Sequence, residues 1–243
     1  MRTIILSPHL DDGAYSCGGW IWEQVRQGQE VIVCTLFAGS PVGIAIPPFA
    51  GLLQQTWGFQ GDATTGRRAE DVAACEFLGC KWHHLEFLDC IYRYLPNQCQ
   101  PLIHNLNDLS SPIKNDEYPL VEHITNRVRN LYPDDRNFLT PLGAGGHVDH
   151  RITRCVAERL GANLSYYLDL PYGSMTVDEF STLLPAGART EKYELSTQGM
   201  RAWQQAILLY PSQFHSFWGS VEDMETQITD FARSSLGCCF WKA

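Results

Sequence analysis

The sequence is poor in basic residues and has no long apolar segment. It carries 18 lysine and arginine residues against 27 aspartate and glutamate residues, giving a formal net charge of −9 at pH 7. An acidic chain lacks the extended basic surface that binds nucleic acid or an anionic membrane. No stretch approaches the roughly 18 consecutive apolar residues of a membrane-spanning helix, and the first apolar run is too short for a secretory signal. These absences predict a cytoplasmic protein without a nucleic-acid partner or membrane span.

Signature motifs of several protein classes are also missing. The nine cysteines are odd in number and form no C-x-x-C pair, which argues against a disulfide framework and a cysteine-rich zinc site. Neither a Walker A sequence nor G-x-S-x-G is present. The glycine-rich residues 143–146 lack the third glycine of G-x-G-x-x-G, which excludes a dinucleotide cofactor.

Apolar runs and amphipathic segments alternate along the chain. Residues 2–8 and 31–37 are predicted strands around a helix at 12–27, and this β-α-β unit predicts a parallel sheet. The alternation continues to the C-terminus and predicts an α/β fold, a three-layer α/β/α sandwich with a mostly parallel, Rossmann-like sheet. Further strands are predicted at 82–87, 137–140, 164–168 and, at a sheet edge, 190–195, and further helices at 67–78, 120–131, 149–160, 177–184, 199–209 and 221–234.

Long irregular segments interrupt this alternation near residues 38–66 and 89–119. The whole chain, 1–243, is predicted to be one domain, and loops of this length in a compact domain are commonly lids or binding loops. We therefore expect them to select the substrate. They contain Trp57, Tyr92 and Tyr94, which could stack on a sugar ring, although such aromatic residues commonly pack a loop onto the core.

Two groups of polar residues follow predicted strands. Residues 7–13 read SPHLDDG and residues 145–150 read GGHVDH. Ligands bind beyond the carboxyl ends of the strands in such sheets, and the two groups together offer the mixed histidine and aspartate set of a catalytic zinc. Any one of these residues alone could be a helix cap or an ordinary loop residue. The presence of both groups at strand ends favours a metal site.

These motifs identify a family resemblance. The sequence resembles the LmbE-like, or PIG-L type, family of zinc-dependent N-deacetylases. The family's His-Pro-Asp-Asp-Glu stands here as residues 9–13 (HLDDG), and its His-x-Asp-His as residues 147–150 (HVDH). Residues 67–70 (RRAE) resemble the family's Arg-x-x-Glu helix. Order and spacing agree over the first two thirds of the chain, and the last third matches chiefly at residues 210–213 (YPSQ).

The resemblance implies a role for each of these polar residues. It implies that His9, Asp12 and His150 bind Zn²⁺, one ion per chain, with other divalent metals as alternatives. Asp11 would be the general base. The remaining implied roles are His147 as general acid or oxyanion stabiliser, Asp149 as the residue that orients it, and Arg67 (less so Arg68) and Asp89 as substrate-binding residues. For these last two residues a structural explanation is as good as a functional one. Arg67 could simply lie on the surface of a helix, and Asp89 could simply lie in a loop.

Three positions depart from the family pattern. Leu10 replaces proline, which removes a backbone restraint but no chemistry. Gly13 replaces glutamate, so a hydrogen bond behind the metal ligands could be lost. Gly145 stands where the family has tyrosine. Because every implied ligand and the base are present, we expect these changes to tune the site rather than abolish it.

The leading functional hypothesis is hydrolysis of an N-acyl group. The preferred substrate is an N-acetylated amino sugar, a related small molecule or a natural-product conjugate, giving acetate and a free amine. One alternative is a zinc hydrolase of another amide or an ester, since the same site would serve. The other is a non-catalytic sugar-binding member of the family. Such a protein would be expected to lack the general base, but Asp11 is retained. The sequence leaves the oligomeric state open.

Overall fold

The computed structural model describes residues 2–59, 61–95, 99–161, 163–171 and 177–242. Within these residues, one sheet contains all seven strands. The strands are β1 (Arg2–Ser7), β2 (Glu30–Thr35), β3 (Lys81–His84), β4 (Asn137–Pro141), β5 (Asn163–Tyr167), β6 (Arg189–Lys192) and β7 (Cys239–Lys242).

The sheet is mostly parallel, in the order β3-β2-β1-β4-β5-β7-β6. Strands β1 to β5 pair in parallel, and β7 is antiparallel to both β5 and β6. The predicted fold class is therefore confirmed, and β6 is an edge strand as expected. The helices of the described part are α1 (Asp12–Arg26), α2 (Pro48–Thr56), α3 (Ala63–Leu78), α4 (Tyr118–Leu131), α5 (Val148–Arg159), α6 (Val177–Leu183), α7 (Thr197–Ile207), α8 (Pro211–Phe214) and α9 (Val221–Arg233).

Helices cover both faces of the sheet. In β1, Ile5 belongs to the apolar core shared with α1, α3, α7 and α9. Its neighbours Ile4 and Leu6 belong to the opposite core, shared with α4 and α5. Because successive side chains of a strand point to opposite faces, both faces need apolar residues. This explains the continuous apolar runs of the central strands.

Residues 38–66, predicted to be irregular, instead contain α2 and the start of α3. Proline in the first turn of α2 is favourable because its missing N–H would lack a helical partner there. The Asp62 carboxylate caps α3 by accepting a hydrogen bond from Thr64 N at 3.1 Å. Helix α2 escaped prediction because only Ala50 is fully buried along it, so no apolar period develops.

Residues 89–119 are less regular, as predicted, but hold short 3₁₀ helices at Cys90–Tyr92, Leu106–Ser110 and Asn115–Glu117. Residues 96–98 of this segment lie outside the described residues. The prediction of one domain over 1–243 stays a prediction. None of the described helices is both long and apolar enough to cross a membrane.

The sheet order brings the two sequence motifs together. The chain moves outward from β1 to β2 and β3, then returns to place β4 on the other side of β1. A crevice forms at such a reversal, beyond the carboxyl ends of the two central strands. The first motif follows β1 and the second follows β4, so both motifs meet there.

Candidate metal and active site

A tight turn after β1 presents the first motif. Ser7 Oγ donates to the His9 carbonyl at 2.7 Å and accepts from Gly13 N at 2.9 Å. His9 N donates to Asp12 Oδ2 at 2.8 Å. These bonds join the end of β1 to the first turn of α1. They fix His9 and Asp12 on the same side of the turn.

Of the three predicted metal ligands, Asp12 contacts both of the others, His9 and His150. Asp12 Oδ2 is 3.0 Å from His9 Nδ1 and 3.3 Å from His150 Nε2. All three residues are buried, at 8%, 6% and 1% exposure for His9, Asp12 and His150. Burial opposes ionisation of Asp12, but His150 and His9 hold the pKa of its carboxyl well below the usual range. One carboxylate oxygen thus lies between two imidazoles.

Asp169 is a partner of this site that the sequence did not reveal. It is buried directly after β5, and its Oδ1 lies 2.5 Å from His150 Nδ1. Its Oδ2 accepts hydrogen bonds from Gly143 N at 2.9 Å and Ala144 N at 3.1 Å. A carboxylate on the second nitrogen of a histidine ligand fixes the ring and its tautomer. The available signal was an acidic residue at the carboxyl end of a predicted strand.

His147 begins α5 with its ring turned toward the site. Its Nδ1 accepts a hydrogen bond from Asp149 N at 3.2 Å, so in the neutral ring the proton resides on Nε2. Burial, together with nearby His9 and His150, lowers the pKa of His147 well below its usual value. A neutral imidazole with Nε2–H is a hydrogen-bond donor.

The Asp149 carboxylate is fully buried and has partners other than His147. Its Oδ1 lies 2.7 Å from Arg93 Nη2, and its Oδ2 accepts from Cys90 N at 2.8 Å and lies 3.2 Å from His9 Nε2. Burial opposes the charge, but Arg93 and His9 lower the pKa of Asp149 below its ordinary value. Asp149 was expected to orient His147, and the contact between these two residues uses the backbone N–H instead of the carboxylate.

Asp11 has a partner outside the cluster of histidines. Its Oδ2 lies 3.3 Å from Arg67 Nη2. Burial raises the pKa of Asp11 to about 6, against the opposing effect of Arg67. The adjacent carboxylates therefore have different surroundings: Asp12 contacts two imidazoles, and Asp11 contacts a guanidinium.

Both predicted substrate-binding residues lie inside the site. Arg67 is 7% exposed and lies with its guanidinium 4.8 Å from the centre of the Trp57 ring. Its Nη1 is 3.9 Å from Asp89 Oδ2, which is itself 3.8 Å from His9 Nε2. The neighbouring Arg68 bonds to Ala38 O and Glu86 instead.

A cavity of about 350 Å³ opens above these groups. Of the three loop aromatics, Trp57 lines it. Tyr92 is buried and accepts a hydrogen bond from Gln54 Nε2, and Tyr94 donates to Ala45 O, so these two pack the loops together. The lining comprises His9, Asp11, Asp12, Leu53, Trp57, Arg67, Asp89, Ile91, Leu106, Leu109, Ser110, Gly145, His147, Gln213, Ser216 and Phe217.

Buried donors around this cavity could hold a metal ion. Among the described residues, potential ligand atoms lie within 4.8 Å of one another in three overlapping sets. Imidazole nitrogens with carboxylate oxygens are the donors of catalytic zinc sites, so the residues present fit a divalent ion. The sets are His9, His147 and His150; Cys90, His147 and Asp149; and His9, Asp89 and Asp149.

Comparison with known families matches residues 4–163 to PIG-L, described as GlcNAc-PI de-N-acetylase. The chain belongs to the PIG-L family. Among curated proteins, the 2'-N-acetylparomamine deacetylase of Streptomyces fradiae is 29% identical over 196 residues, or 76% of this chain. That alignment covers 63% of the relative, so the chain spans less than two thirds of its length.

Solved structures of PIG-L relatives share the fold. The zinc-inhibited form of teicoplanin deacetylase Orf2 is 27% identical, with a TM-score of 0.85 and coverage of 100% of this chain and 97% of that one. The A40926 pseudoaglycone deacetylase Dbv21 is 28% identical, with a TM-score of 0.78 and coverage of 99% and 96%. The likeness therefore includes the last third of the chain, which lies beyond the family match.

The backbone explains two departures from the PIG-L pattern. A Cβ at Gly13 would lie 2.9 Å from Val33 Cγ1 on β2. A glutamate at this position would therefore require the Val33 side chain or the backbone of β2 to move. Gly145 has a φ of 74°, a left-handed conformation that a tyrosine rarely adopts. Gly145 also lines the cavity, where a tyrosine would occupy space.

Proposed function

We propose that this chain is a zinc-dependent hydrolase that removes an N-acyl group, acetyl in the first instance, from an amino sugar or an amino-sugar natural-product conjugate. The observation that carries the proposal is the different environment of two adjacent carboxylates. Asp12 contacts His9 and His150, whereas Asp11 lines the cavity beside Arg67. In a zinc hydrolase, one carboxylate can bind the metal while another accepts a proton from water, and these two roles call for different surroundings.

His9, Asp12 and His150 would hold one zinc ion per chain. When bound, zinc supplies a Lewis acid that polarises the amide carbonyl and lowers the pKa of water. Histidine and carboxylate are the ligands of catalytic zinc, and a structural relative, teicoplanin deacetylase, is described in a zinc-inhibited form, so zinc interacts with a protein of this fold. Asp169 fixes the His150 ring through Nδ1, which leaves Nε2 on the side of Asp12.

The other site residues supply proton transfer and charge stabilisation. Asp11 accepts a proton from the attacking water and can return it to the leaving nitrogen. His147 donates Nε2–H to the carbonyl oxygen as negative charge develops there. The hydrogen bond from Asp149 N to His147 Nδ1 supports this role of oxyanion stabiliser over that of general acid. Asp149 acts through its backbone on His147 and through its carboxylate on His9.

The substrate assignment rests on the cavity and the relatives. Arg67 and Asp89 offer a donor and an acceptor for sugar hydroxyl and amide groups, and Trp57 offers a flat apolar face. Similar proteins are named as deacetylases of N-acetylparomamine, teicoplanin and the A40926 pseudoaglycone. We further propose that the chain is a single-domain enzyme that works in the cytoplasm.

A metal analysis followed by amine detection tests this function. The purified chain should hold close to one divalent ion, and it should release amine from members of a panel of N-acetyl sugars and aminoglycoside-like conjugates. His9→Ala and His150→Ala should remove most of the metal. A zinc-loaded preparation that cleaves esters or other amides but no N-acetyl sugar would favour the alternative hydrolase. Sugar binding without any turnover would favour the non-catalytic alternative.

A further inference from the structure

The last third of the chain brings a short turn to the cavity that the proposed reaction leaves without a role. Residues 210–213 (YPSQ) lie at the start of α8, and Gln213 lines the cavity although it is only 4% exposed. Glu70, in the RRAE segment of α3, is equally unassigned. We infer that Gln213 is a specificity-determining residue whose side-chain carbonyl oxygen accepts a hydrogen bond from the substrate, and that Glu70 and Ser212 hold its amide in that orientation.

Helix α3 anchors this turn at two points. Asp71 Oδ1 accepts a hydrogen bond from the Tyr210 hydroxyl at 2.7 Å. One residue earlier on α3, Glu70 Oε1 accepts from Ser212 N at 3.0 Å, and Glu70 Oε2 accepts from Ser212 Oγ at 2.5 Å. The turn is therefore fixed relative to the helix that also carries Arg67 into the cavity.

The same bonds decide which way the Gln213 amide faces. A carboxylate can only accept, so the Ser212 hydroxyl proton is committed to Glu70. The Ser212 oxygen can then only accept from a further neighbour, and Gln213 Nε2 donates to it at 2.9 Å. The amide nitrogen therefore faces Ser212, and the amide oxygen faces away from it. The charge of Glu70 thus sets the orientation of an amide that it does not touch.

The carbonyl oxygen of Gln213 is an accessible acceptor. Among the described residues, the Gln213 side chain makes one hydrogen bond, the one through Nε2. Its Oε1 nevertheless does not belong to the buried side-chain atoms of the described part that lack a partner, so this oxygen is accessible. Because Gln213 is almost fully buried and lines the cavity, Oε1 opens onto the cavity.

A neutral acceptor complements the charged groups of the cavity. The carboxylates of Asp11, Asp12 and Asp89 attract cations as well as neutral donors, and Arg67 supplies a donor. An uncharged amide oxygen instead suits a hydroxyl or an amide N–H, and an N-acetyl amino sugar carries both kinds of donor. This choice of ligand rests on the proposed function, whereas the orientation of the Gln213 amide does not.

Binding of the methyl glycoside of N-acetylglucosamine, and of analogues that each lack one donor, tests this role. The analogues are the monodeoxy sugars and the ester that has oxygen in place of the amide nitrogen. Loss of the donor that Gln213 accepts should raise the Kd about 10-fold or more, because a buried acceptor is then left unpaired. In Gln213→Met, the parent sugar should bind more weakly by a similar factor, and the same analogue should bind no worse than the parent.

A matched glutamine outside the cavity provides the control. Gln204 on α7 hydrogen-bonds to Glu225 O and Thr229 Oγ1 and does not line the cavity, so Gln204→Met should bind every sugar as the wild type does. If every analogue shows the same ratio of its Kd to that of the parent in Gln213→Met as in the wild type, the inference is overturned.

The positioning residues are tested without changing the lining of the cavity. Ser212→Ala releases the amide, so the Kd ratio of the sensitive analogue should fall toward one while metal content is unchanged, and Ser212→Thr, which retains a hydroxyl, should restore the ratio. Glu70→Gln should act as Ser212→Ala does, because its amide can donate to Ser212 Oγ and free the hydroxyl proton for Gln213 Oε1. A purely structural role of either residue would change Tm without changing the ratio.

Measurement by NMR titration separates this inference from the proposed function, because it requires no turnover. A chain that binds the sugars but releases no amine from them would contradict the proposed function, and the Kd ratios would still decide the role of Gln213. A chain that releases amine at the wild-type KM in Gln213→Met, for the parent and every analogue, would support the hydrolase and overturn the role of Gln213.

Discussion

At the residue scale, the site depends on giving neighbouring carboxylates different partners. Asp12 starts α1, and its Oδ2 accepts from the His9 backbone N–H while contacting two imidazoles. Asp11 precedes the helix and contacts Arg67, and both residues line the cavity. The separation arises from the turn after β1, since consecutive residues at a helix start point in different directions.

Substitution of each carboxylate by its amide should separate binding from catalysis. Asp11→Asn should keep the metal and lower kcat by about 10²-fold or more, because an amide cannot accept the proton. Asp12→Asn should lose most of the metal, because an amide is a weaker ligand than a carboxylate. Metal content and kcat measured on the same preparations check both outcomes. Normal zinc binding in both variants would show that the division of roles is wrong.

Asp169→Asn should weaken metal binding although Asp169 is not a proposed ligand. Loss of the charged partner of His150 Nδ1 should lower metal affinity by about 10–100-fold, as for other residues behind metal ligands. The measurement is competition with a chelator. Asp135→Asn is the control, because Asp135 is also buried but pairs with Arg2, away from the site. Equal affinities for Asp169→Asn and the wild type would assign Asp169 a purely structural role.

The residue motifs were the most predictable part of the site. Histidine and aspartate at two strand ends are visible in the sequence, and the structure brings both groups together. The bonds of Asp169 and Arg93 were not predictable, because each depends on a partner from a distant segment. Arg93 lies in an irregular stretch, where periodicity gives no orientation for its side chain.

At the element scale, α3 carries Arg67 and depends on a cap. Asp62 accepts from Thr64 N at 3.1 Å, Thr65 Oγ1 at 2.6 Å and Ser40 Oγ at 2.8 Å. Asp62→Ala should lower the free energy of unfolding by about 1 kcal/mol, the usual cost of losing an N-cap. Asp62→Asn should cost less because asparagine also caps. Urea unfolding at neutral pH measures both, and equal losses in the two variants would contradict the capping argument.

The Asp62 cap also predicts a dependence on pH. Partial burial opposes its charge, but hydrogen bonds from Thr65, Ser40 and Thr64 lower the pKa of Asp62 below its ordinary value. A lowered pKa gives stability that is present above the unfolded pKa of about 3.9 and is lost as pH falls through the folded value. The difference in unfolding free energy between wild type and Asp62→Ala should therefore shrink below about pH 4.

Helix α2 is expected to influence substrate choice. Leu53, in the last turn of α2, and Trp57, directly after the helix, line the cavity, whereas Leu52 is 61% exposed. Trp57→Ala should change the relative rates across a substrate panel, because it removes an apolar wall and the partner of Arg67, and should leave metal content unchanged. Leu52→Ala, on the same helix, should leave the ranking as it is. Unchanged relative rates for Trp57→Ala would reject a role in specificity.

Elements with a clear apolar period were predicted within a few residues, and elements without one were not. Strand β7 is four residues long and lies antiparallel between β5 and β6. Its short apolar run resembles other buried segments, and its strand character comes from the two neighbours that pair with it. Helix α8, also four residues long, is too short to show a period.

At the scale of the whole molecule, the reversal of strand order makes the site. His9 and Asp12 belong to the first β-α unit. His150 lies on α5, more than a hundred residues later in the chain. Asp169 follows β5 and completes the arrangement. The fold class could be predicted because alternating elements constrain topology, but the path of the intervening segments could not. A metal ion here would join segments that are distant in the chain.

Removal of the metal should therefore destabilise the whole fold. An ion that binds only the folded state stabilises it by about 2.7 kcal/mol when its free concentration is 100 times Kd, so Tm should rise by roughly 5–10 °C. Thermal unfolding of chelated protein with increasing zinc measures this shift. His150→Ala should show a much smaller rise in Tm, because it lacks one of the three proposed ligands. Its acidic surface is unchanged, so it controls for weak binding of zinc elsewhere on the protein. An equal rise in His150→Ala would mean that zinc stabilises the chain from another site.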